Sequence, residues 1–284
     1  MTTTPGPMMP PPPPPAQRAL PRLSMDLSNT APVPFWRTVR AEFRKSYDTR
    51  AGFWLLMSIA IVVGLMELIV LVVGLVNPSD MHFTDFAFIA SLPMQVLLPV
   101  VAIMLVTTEW SQRSGMVTFA LEPRRARIIM AKWVVAVSYA VLAVVVMFVI
   151  ALVMSVIFSI AQPDYMHWTG STDNPRLLPF AIYLVLTMSI GFAFAALLLN
   201  TPAAIVLFFL YWYLVPGVLA FIGSIKEWLG NAMEWINFQV AFQPFVDGSI
   251  STGEEWGKII VSTVLWVGLP LGFGIWRILR AEVK

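Results

Sequence analysis

The chain has 284 residues, and its composition excludes most classes of protein. Apolar residues make up 58% of it, charged residues 12%, and its mean hydropathy is +0.78. A soluble domain has about 45–50% apolar and about 25% charged residues, so one water-facing core could not absorb this excess. The net charge is only +2, and the lack of cysteine excludes disulfides, thiolate catalysis and cysteine-ligated metals.

Residues 1–33 are predicted to be a disordered, proline-rich cytoplasmic tail. Pro10 to Pro15 are consecutive prolines, and the segment contains no apolar stretch. Because proline removes backbone donors, the tail is expected to be polyproline-like or disordered. It lacks the hydrophobic core of a cleavable signal peptide. A solvated tail is favoured over a proline-rich ligand for a partner domain.

Residues 34–52 are predicted to form an amphipathic interfacial helix. Phe35, Val39, Phe43 and Tyr47 recur every four residues, and basic residues occupy other faces. Such a helix lies in the plane of the membrane surface, with apolar side chains among the acyl chains and basic ones at the headgroups. The alternative is a basic flank that only sets topology. The residues expected to contact membrane lipid are Trp36, Arg40, Phe43, Arg44 and Lys45.

Residues 53–284 are predicted to form a six-helix transmembrane domain. A crossing needs about 20 apolar residues. A closed β-barrel would alternate apolar and polar residues, and these stretches do not. The predicted fold class is therefore an all-α integral membrane protein. The six stretches are 53–76, 86–108, 133–161, 177–199, 203–222 and 259–276.

The Lys and Arg residues predict both termini in the cytoplasm of a multi-pass protein of the cell membrane. With this orientation, only Arg176, Lys226 and Lys258 of the 18 basic residues fall outside. The fourth and fifth spans are joined by residues 200–202, which predicts a tight cytoplasmic hairpin. Aromatic residues crowd the outer segment 223–258, which predicts short helices in the outer leaflet.

The cytoplasmic segment between the second and third spans is predicted to begin with an amphipathic helix. Trp110, Val117 and Leu121 share one helical face, and Pro123 ends the helix. Such a helix needs the membrane surface or a soluble partner to cover its apolar face. The alternative is a topogenic loop whose arginines only stay inside.

The chain resembles the permease subunits of ABC transporters, of the type-2 exporter class, over about residues 34–284. A basic amphipathic helix precedes the first span, and an aromatic region precedes the last. The most specific match is an acid ending the second span, a Gly-containing helix, Leu-x-Pro, arginines and a Lys opening the third span. These residues are Glu109, Gly115, Leu121, Pro123, Arg124, Arg125 and Lys132.

The resemblance implies a pathway formed with a second permease copy or a sister permease, and two copies of a separate ABC ATPase subunit. ATP and Mg would bind the ATPase, and this chain would hold no cofactor. The sequence contains no phosphate loop of the form G-x-x-x-x-G-K-[ST], so the chain is not expected to be an enzyme. The family's setting also implies a bacterial cell membrane. The implied coupling helix lies within 109–127, with contacts from Glu109, Arg113, Gly115, Val117, Leu121, Pro123 and Arg124.

Polar residues inside the spans suggest a pathway and a second hypothesis. Glu67 is an acid well inside a span, which makes it a functional candidate for an ion- or proton-coupled secondary transporter. The structural alternative is that Glu67 is protonated, or is hydrogen-bonded to a neighbouring helix such as one bearing Gln95, Thr107 or Ser189. A membrane-embedded lipid enzyme is a third reading, but the spans lack converging catalytic groups. The candidate pathway residues are Glu67, Gln95, Tyr211 and Trp212.

The remaining motifs give weaker expectations. Gly268 and Gly272 form a G-x-x-x-G pair that could allow close helix contact. His82 and His167 lie in outer loops without ligand-spaced companions, so no metal site is predicted. No nucleic-acid partner and no catalytic residue are predicted. The apolar spans favour a hydrophobic or amphiphilic substrate whose identity the sequence does not give.

Overall fold

The computed structural model describes residues 34–111, 124–168 and 177–280, which fold almost entirely as helices. Predictions for the tail 1–33 therefore lie outside the described residues. Within the described ranges, two-residue strands β1 (Met81–His82) and β2 (Met166–His167) pair in parallel. The helices are α1 Phe35–Asp48, α2 Arg50–Val76, α3 Phe83–Ser111, α4 Arg125–Ala161, α5 Leu177–Leu198, α6 Thr201–Gly223, α7 Glu227–Ile236, α8 Phe238–Val246 and α9 Gly253–Arg280.

Six of these helices, α2 to α6 and α9, are long and apolar enough to cross a membrane. This confirms the prediction of a six-helix, all-α membrane protein. Five of the six helices extend beyond the predicted stretches, because further residues continue the helix past its most apolar part, and the fourth ends at Leu198, one residue short of its prediction. The third span begins at Arg125 rather than residue 133, and the sixth covers Gly253–Arg280 rather than 259–276.

Capping residues set two helix starts that apolarity did not show. The hydroxyl of Thr49 accepts the backbone N–H of Gly52 at 3.1 Å, so α2 begins at Arg50 and residues 50–52 belong to it rather than to the interfacial helix. Thr252 and Glu255 form a reciprocal capping box that starts α9.

Helices α3 and α5 form the centre of the bundle. Two-thirds of the most apolar window of each is buried, against less than a third in the other four spans. Glycines allow this close packing: a Cβ at Gly191 of α5 would lie 2.7 Å from the carbonyl oxygen of Pro99 in α3. Gly274 of α9 packs equally closely on Ala196 of α5. Gly268 and Gly272 make no such contact within the described chain, so the predicted G-x-x-x-G contact is not formed there.

A π-helical turn precedes a proline in both α6 and α9. The turn Leu210–Leu214 comes before Pro216, and Val264–Gly268 comes before Pro270. Proline has no N–H and its ring presses on the carbonyl four residues earlier, which for Pro216 is that of Trp212. Gln239 of α8 donates its amide Nε2 to this carbonyl at 3.1 Å. The side chain from α8 therefore replaces the lost helical hydrogen bond.

The aromatic segment before the last span forms the short helices that were predicted. Phe238 and Phe242 of α8 are buried, and the ring of Phe238 stacks on Tyr183 at 5.7 Å. The indole N–H of Trp266 donates to the carbonyl of Ile236 at 2.7 Å. These contacts fix α7 and α8 to α5 and α9, and their position in the outer leaflet remains a prediction.

Basic side chains near one end of the bundle donate hydrogen bonds to carbonyl groups near the C-termini of helices. Arg277 donates to the carbonyl of Leu197 at the end of α5, and Arg125 donates to that of Ile278 in α9. The predicted hairpin between α5 and α6 is confirmed, with Asn200 capping α6 through the N–H of Ala203. Which side of a membrane this end faces remains a prediction.

The close approach of α3 and α5 predicts opposite effects of two Gly→Ala substitutions. Gly191→Ala forces a methyl group against Pro99 and should lower stability by about 1–3 kcal/mol. Gly64→Ala in α2 meets open space and should raise stability by up to about 1 kcal/mol through helix propensity. Thermal unfolding of the detergent-purified protein measures both, and a rise in the midpoint for both variants would contradict this packing.

Candidate functional site at the ends of the second and third spans

Four charged residues from three helices meet where α3 ends and α4 begins. Glu42 and Lys45 come from α1, Glu109 from the last turn of α3 and Lys132 from α4. Lys132 Nζ lies 2.5 Å from Glu42 Oε2 and 3.3 Å from Glu109 Oε2. Lys45 Nζ lies 2.8 Å from Glu42 Oε1 and 3.0 Å from Glu109 Oε1. Each ammonium group therefore contacts both carboxylates, and we call these four residues the ion-pair cluster.

Helix α1 reaches the cluster because one of its faces packs on α4. Val39, Glu42 and Ser46 lie on that face at helical spacing. The Ser46 hydroxyl is hydrogen-bonded to the Tyr139 hydroxyl of α4, with 2.5 Å between the oxygens. The ring of Phe43 stacks on that of Tyr139 at 5.2 Å. These contacts hold α1 against the bundle and aim Glu42 at Lys132.

Three of the four residues are removed from solvent, with Glu42 3% exposed, Lys132 6% and Glu109 9%, while the side chain of Lys45 is 50% exposed. Buried charges are tolerated when they are paired, and here two positive groups match two negative ones. Burial by itself would lower the pKa of Lys45, yet Glu42 and Glu109 outweigh it and hold that pKa above its usual value. Lys45 thus stays charged at neutral pH. Its contribution to stability is present below the usual lysine pKa and is lost only as pH rises through the raised value.

A cleft of about 240 Å³ adjoins the cluster between α1, α2 and α3. The charged groups line one end, and apolar side chains line the rest: Leu55, Leu56, Val101, Met104 and Leu105. The ion-pair cluster beside this cleft connects α1, α3 and α4.

The residues predicted to couple to an ATPase divide between described and undescribed parts of the chain. Glu109 belongs to the cluster, and Arg124 is exposed at the N-terminus of α4. The other five lie outside the described residues, in segment 112–123: Arg113, Gly115, Val117, Leu121 and Pro123. The cluster therefore joins the two helices between which this segment runs.

The predicted interfacial helix has a different buried face from the one its apolar stripe indicated. Of the stripe, Val39 is buried and Phe43 is half-buried, while Phe35 and Tyr47 are exposed. Glu42 lies in the buried face, and sequence reasoning missed it because only the apolar stripe and the basic residues of this helix were considered. The remaining predicted lipid contacts point outward, since Trp36 is 70% exposed and Arg40 and Arg44 are also exposed.

Two of the four predicted pathway residues pack inside the chain. Tyr211 and Trp212 are buried, with the ring of Tyr211 4.3 Å from that of Trp266 and the indole of Trp212 stacked on Phe208. Tyr211 contacts α9 through Trp266, and Trp212 contacts Tyr183 of α5, so both residues pack α6 against other helices.

The other two predicted pathway residues, Gln95 and Glu67, lie on different helices and share no hydrogen bond. Gln95 donates to Ser91 of its own helix at 3.3 Å. Glu67 is fully buried beside the backbone of Ala90 in α3, and neither of its oxygens has a hydrogen-bond partner among the described residues. No hydrogen bond joins Glu67 to Gln95, Thr107 or Ser189, and Thr107 and Ser189 bond to carbonyls of their own helices.

No protein-family model and no curated protein matches this chain.

Breaking the ion-pair cluster predicts a large loss of stability. Lys132→Met leaves buried carboxylates short of a partner and should cost about 3–5 kcal/mol. Arg44→Met is the matched control: it removes an exposed pair with Asp48 and should cost less than about 1 kcal/mol. Thermal unfolding in detergent compares the two variants.

A double variant separates charge from packing. Lys132→Met with Glu42→Met leaves one carboxylate for Lys45 and should recover part of the loss. If the double variant is less stable than Lys132→Met alone, the cluster is not held by charge balance.

Proposed function

We propose that the chain is the membrane-spanning permease subunit of an ATP-driven ABC exporter of the type-2 class. It would form the translocation pathway as a dimer, with a second copy or a sister permease, in a cell membrane with both termini inside. Two ATPase subunits would act on it through the cytoplasmic segment within 109–127. The observation that carries the proposal is the ion-pair cluster, which joins α1, α3 and α4 at the ends of that segment.

The cluster supplies a mechanical connection. A displacement of segment 112–123 acts on α3 at one end and on α4 at the other. Since Glu109 and Lys132 are also bound to α1, the three helix ends would move together rather than separately. Rigid-body movement of packed helices is a common form of such switching. Because α3 is one of the two central helices, the movement would reach the core of the bundle.

The energy source is assigned to a partner. The sequence has no phosphate loop, so ATP and Mg would bind the ATPase subunits. The exposed Arg124 and the undescribed residues up to Pro123 would form the docking surface. Export of a hydrophobic or amphiphilic compound fits the apolar spans.

The proposal predicts that an ATPase subunit co-purifies with the chain, and that a single substitution in the coupling segment prevents this. Purification in mild detergent should recover an ATP-hydrolysing subunit with the chain. Leu121→Asp or Gly115→Trp should abolish its recovery, because a charge or a bulky ring at the interface weakens binding by about 30-fold or more, roughly 2 kcal/mol. Ile225→Asp, an equivalent change at an exposed position of the opposite end, should leave recovery unchanged.

Cysteine labelling tests sidedness directly, since the chain contains no cysteine of its own. In intact cells, an impermeant thiol reagent should label Ser251→Cys and spare Gln112→Cys and Ser114→Cys. Labelling of the latter two from outside, or a preparation that transports without any ATP-hydrolysing subunit, would contradict the proposal.

A second candidate function is ion- or proton-coupled transport through Glu67. The observation that favours it is the buried carboxyl group in α2, whose oxygens have no partner among the described residues. Unpaired acids inside membrane helices are costly and mark functional sites. The carboxyl group would then bind and release the coupling ion during transport.

Substitution of Glu67 separates the two functions. If ATP drives transport, Glu67→Met should leave transport intact and raise stability by about 1–3 kcal/mol, because it removes a buried unpaired polar group. If an ion gradient drives it, Glu67→Gln and a protonophore should each abolish transport. Glu227→Gln, at an exposed position, is the matched control. The readout is vesicle uptake of compounds that accumulate in cells lacking the chain.

A further inference from the structure

The two histidines of the chain are 85 positions apart, and the structure places them side by side. Strands β1 and β2 pair in parallel, with Met81 opposite Met166 and His82 opposite His167. The imidazole centroids lie 5.3 Å apart, with 34° between the ring planes. This pairing joins the connection between α2 and α3 to the chain that follows α4, at the end of the bundle opposite the ion-pair cluster.

Each imidazole has a carboxylate of its own. His167 Nε2 lies 3.2 Å from Asp80 Oδ1, and His82 Nδ1 lies 3.5 Å from Asp85 Oδ2. Asp85 is fixed in turn, because the same oxygen accepts the backbone N–H of His82 at 2.8 Å. The second nitrogen of each ring, Nε2 of His82 and Nδ1 of His167, has no partner among the described residues. Metal-binding histidines typically show this arrangement, with a carboxylate on one nitrogen and the ion on the other.

The spacing of the rings fits a shared ion. A Zn–N bond of about 2.0–2.1 Å plus roughly the radius of the ring puts each centroid about 3.2 Å from the metal. At a tetrahedral angle, two such centroids are about 5.2 Å apart, close to the observed 5.3 Å. The side chains of His82 and His167 are 29% and 46% exposed, so an ion could reach them from solvent.

We propose that His82 and His167 form a two-histidine site for Zn²⁺. Asp80 and Asp85 orient the imidazoles, and water completes the tetrahedron. Water would supply the other ligands, because the described part of the chain holds no group of three or more His, Asp or Glu side chains that could hold an ion. Imidazole is a preferred ligand of Zn²⁺. The bound ion would add a further link between two loops that the strand pair, the His167–Asp80 contact and the packing of Met166 near Met81 already join, independently of what drives transport.

Calorimetric titration of the full chain with ZnCl₂ tests the site, with the protein purified in detergent through a histidine-free tag. We expect one ion per chain and a higher midpoint of thermal unfolding with Zn²⁺. His82→Asn and His167→Asn should each abolish the binding heat and the shift. Asp80→Asn should weaken binding about 10-fold or more, since it removes only an orienting group.

Tyr165→Phe, at an exposed position of the same loop, is the matched control and should bind like the parent chain. Because there are two histidines and no cysteine, other zinc ligands of comparable strength are absent from the sequence. Each variant must elute as a monodisperse peak with an unchanged helical signal. A parent chain that binds no Zn²⁺, or binding that survives both histidine substitutions, would overturn the proposal.

Discussion

The ion pairs among Glu42, Lys45, Glu109 and Lys132 are the constraint on which one end of this protein depends. Lys132 and the two carboxylates are buried and are stable there because they are paired, while Lys45 is half-exposed and contacts both carboxylates from the solvent side. The pairs come from three helices, so the charges can remain balanced only while those helices keep their relative positions. Helix α1 is therefore a structural part of the bundle, although its composition resembles that of a surface helix.

Different contacts hold the opposite end and the centre of the bundle. A two-residue strand pair and the contacts of α7 and α8 join the loops there, while the centre relies on glycines that let α3, α5 and α9 approach closely. One end is therefore joined mainly by ion pairs, and the other by the strand pair, a His–Asp contact and apolar packing around Met166.

The sequence predicted the six crossings well, because their apolar length follows from the thickness of a bilayer. It did not predict where the helices begin, since Thr49 and the Thr252–Glu255 pair act through capping hydrogen bonds. Helical periodicity did not single out Glu42, because a buried charge has no local signature. The contact between His82 and His167 was also missed. It depends on how helices distant in sequence pack, and the sequence around either histidine gives no sign of it.

The π-helical turns of α6 and α9 have a consequence for how these helices present their surfaces. Each turn accommodates one residue more than a regular α-helical turn, so the side chains on its two sides follow different phases. A helical wheel drawn through Leu210–Leu214 would assign the residues after Leu214 to the wrong azimuth by about 100°. A helical period read straight through α6 therefore does not give the faces of both its halves.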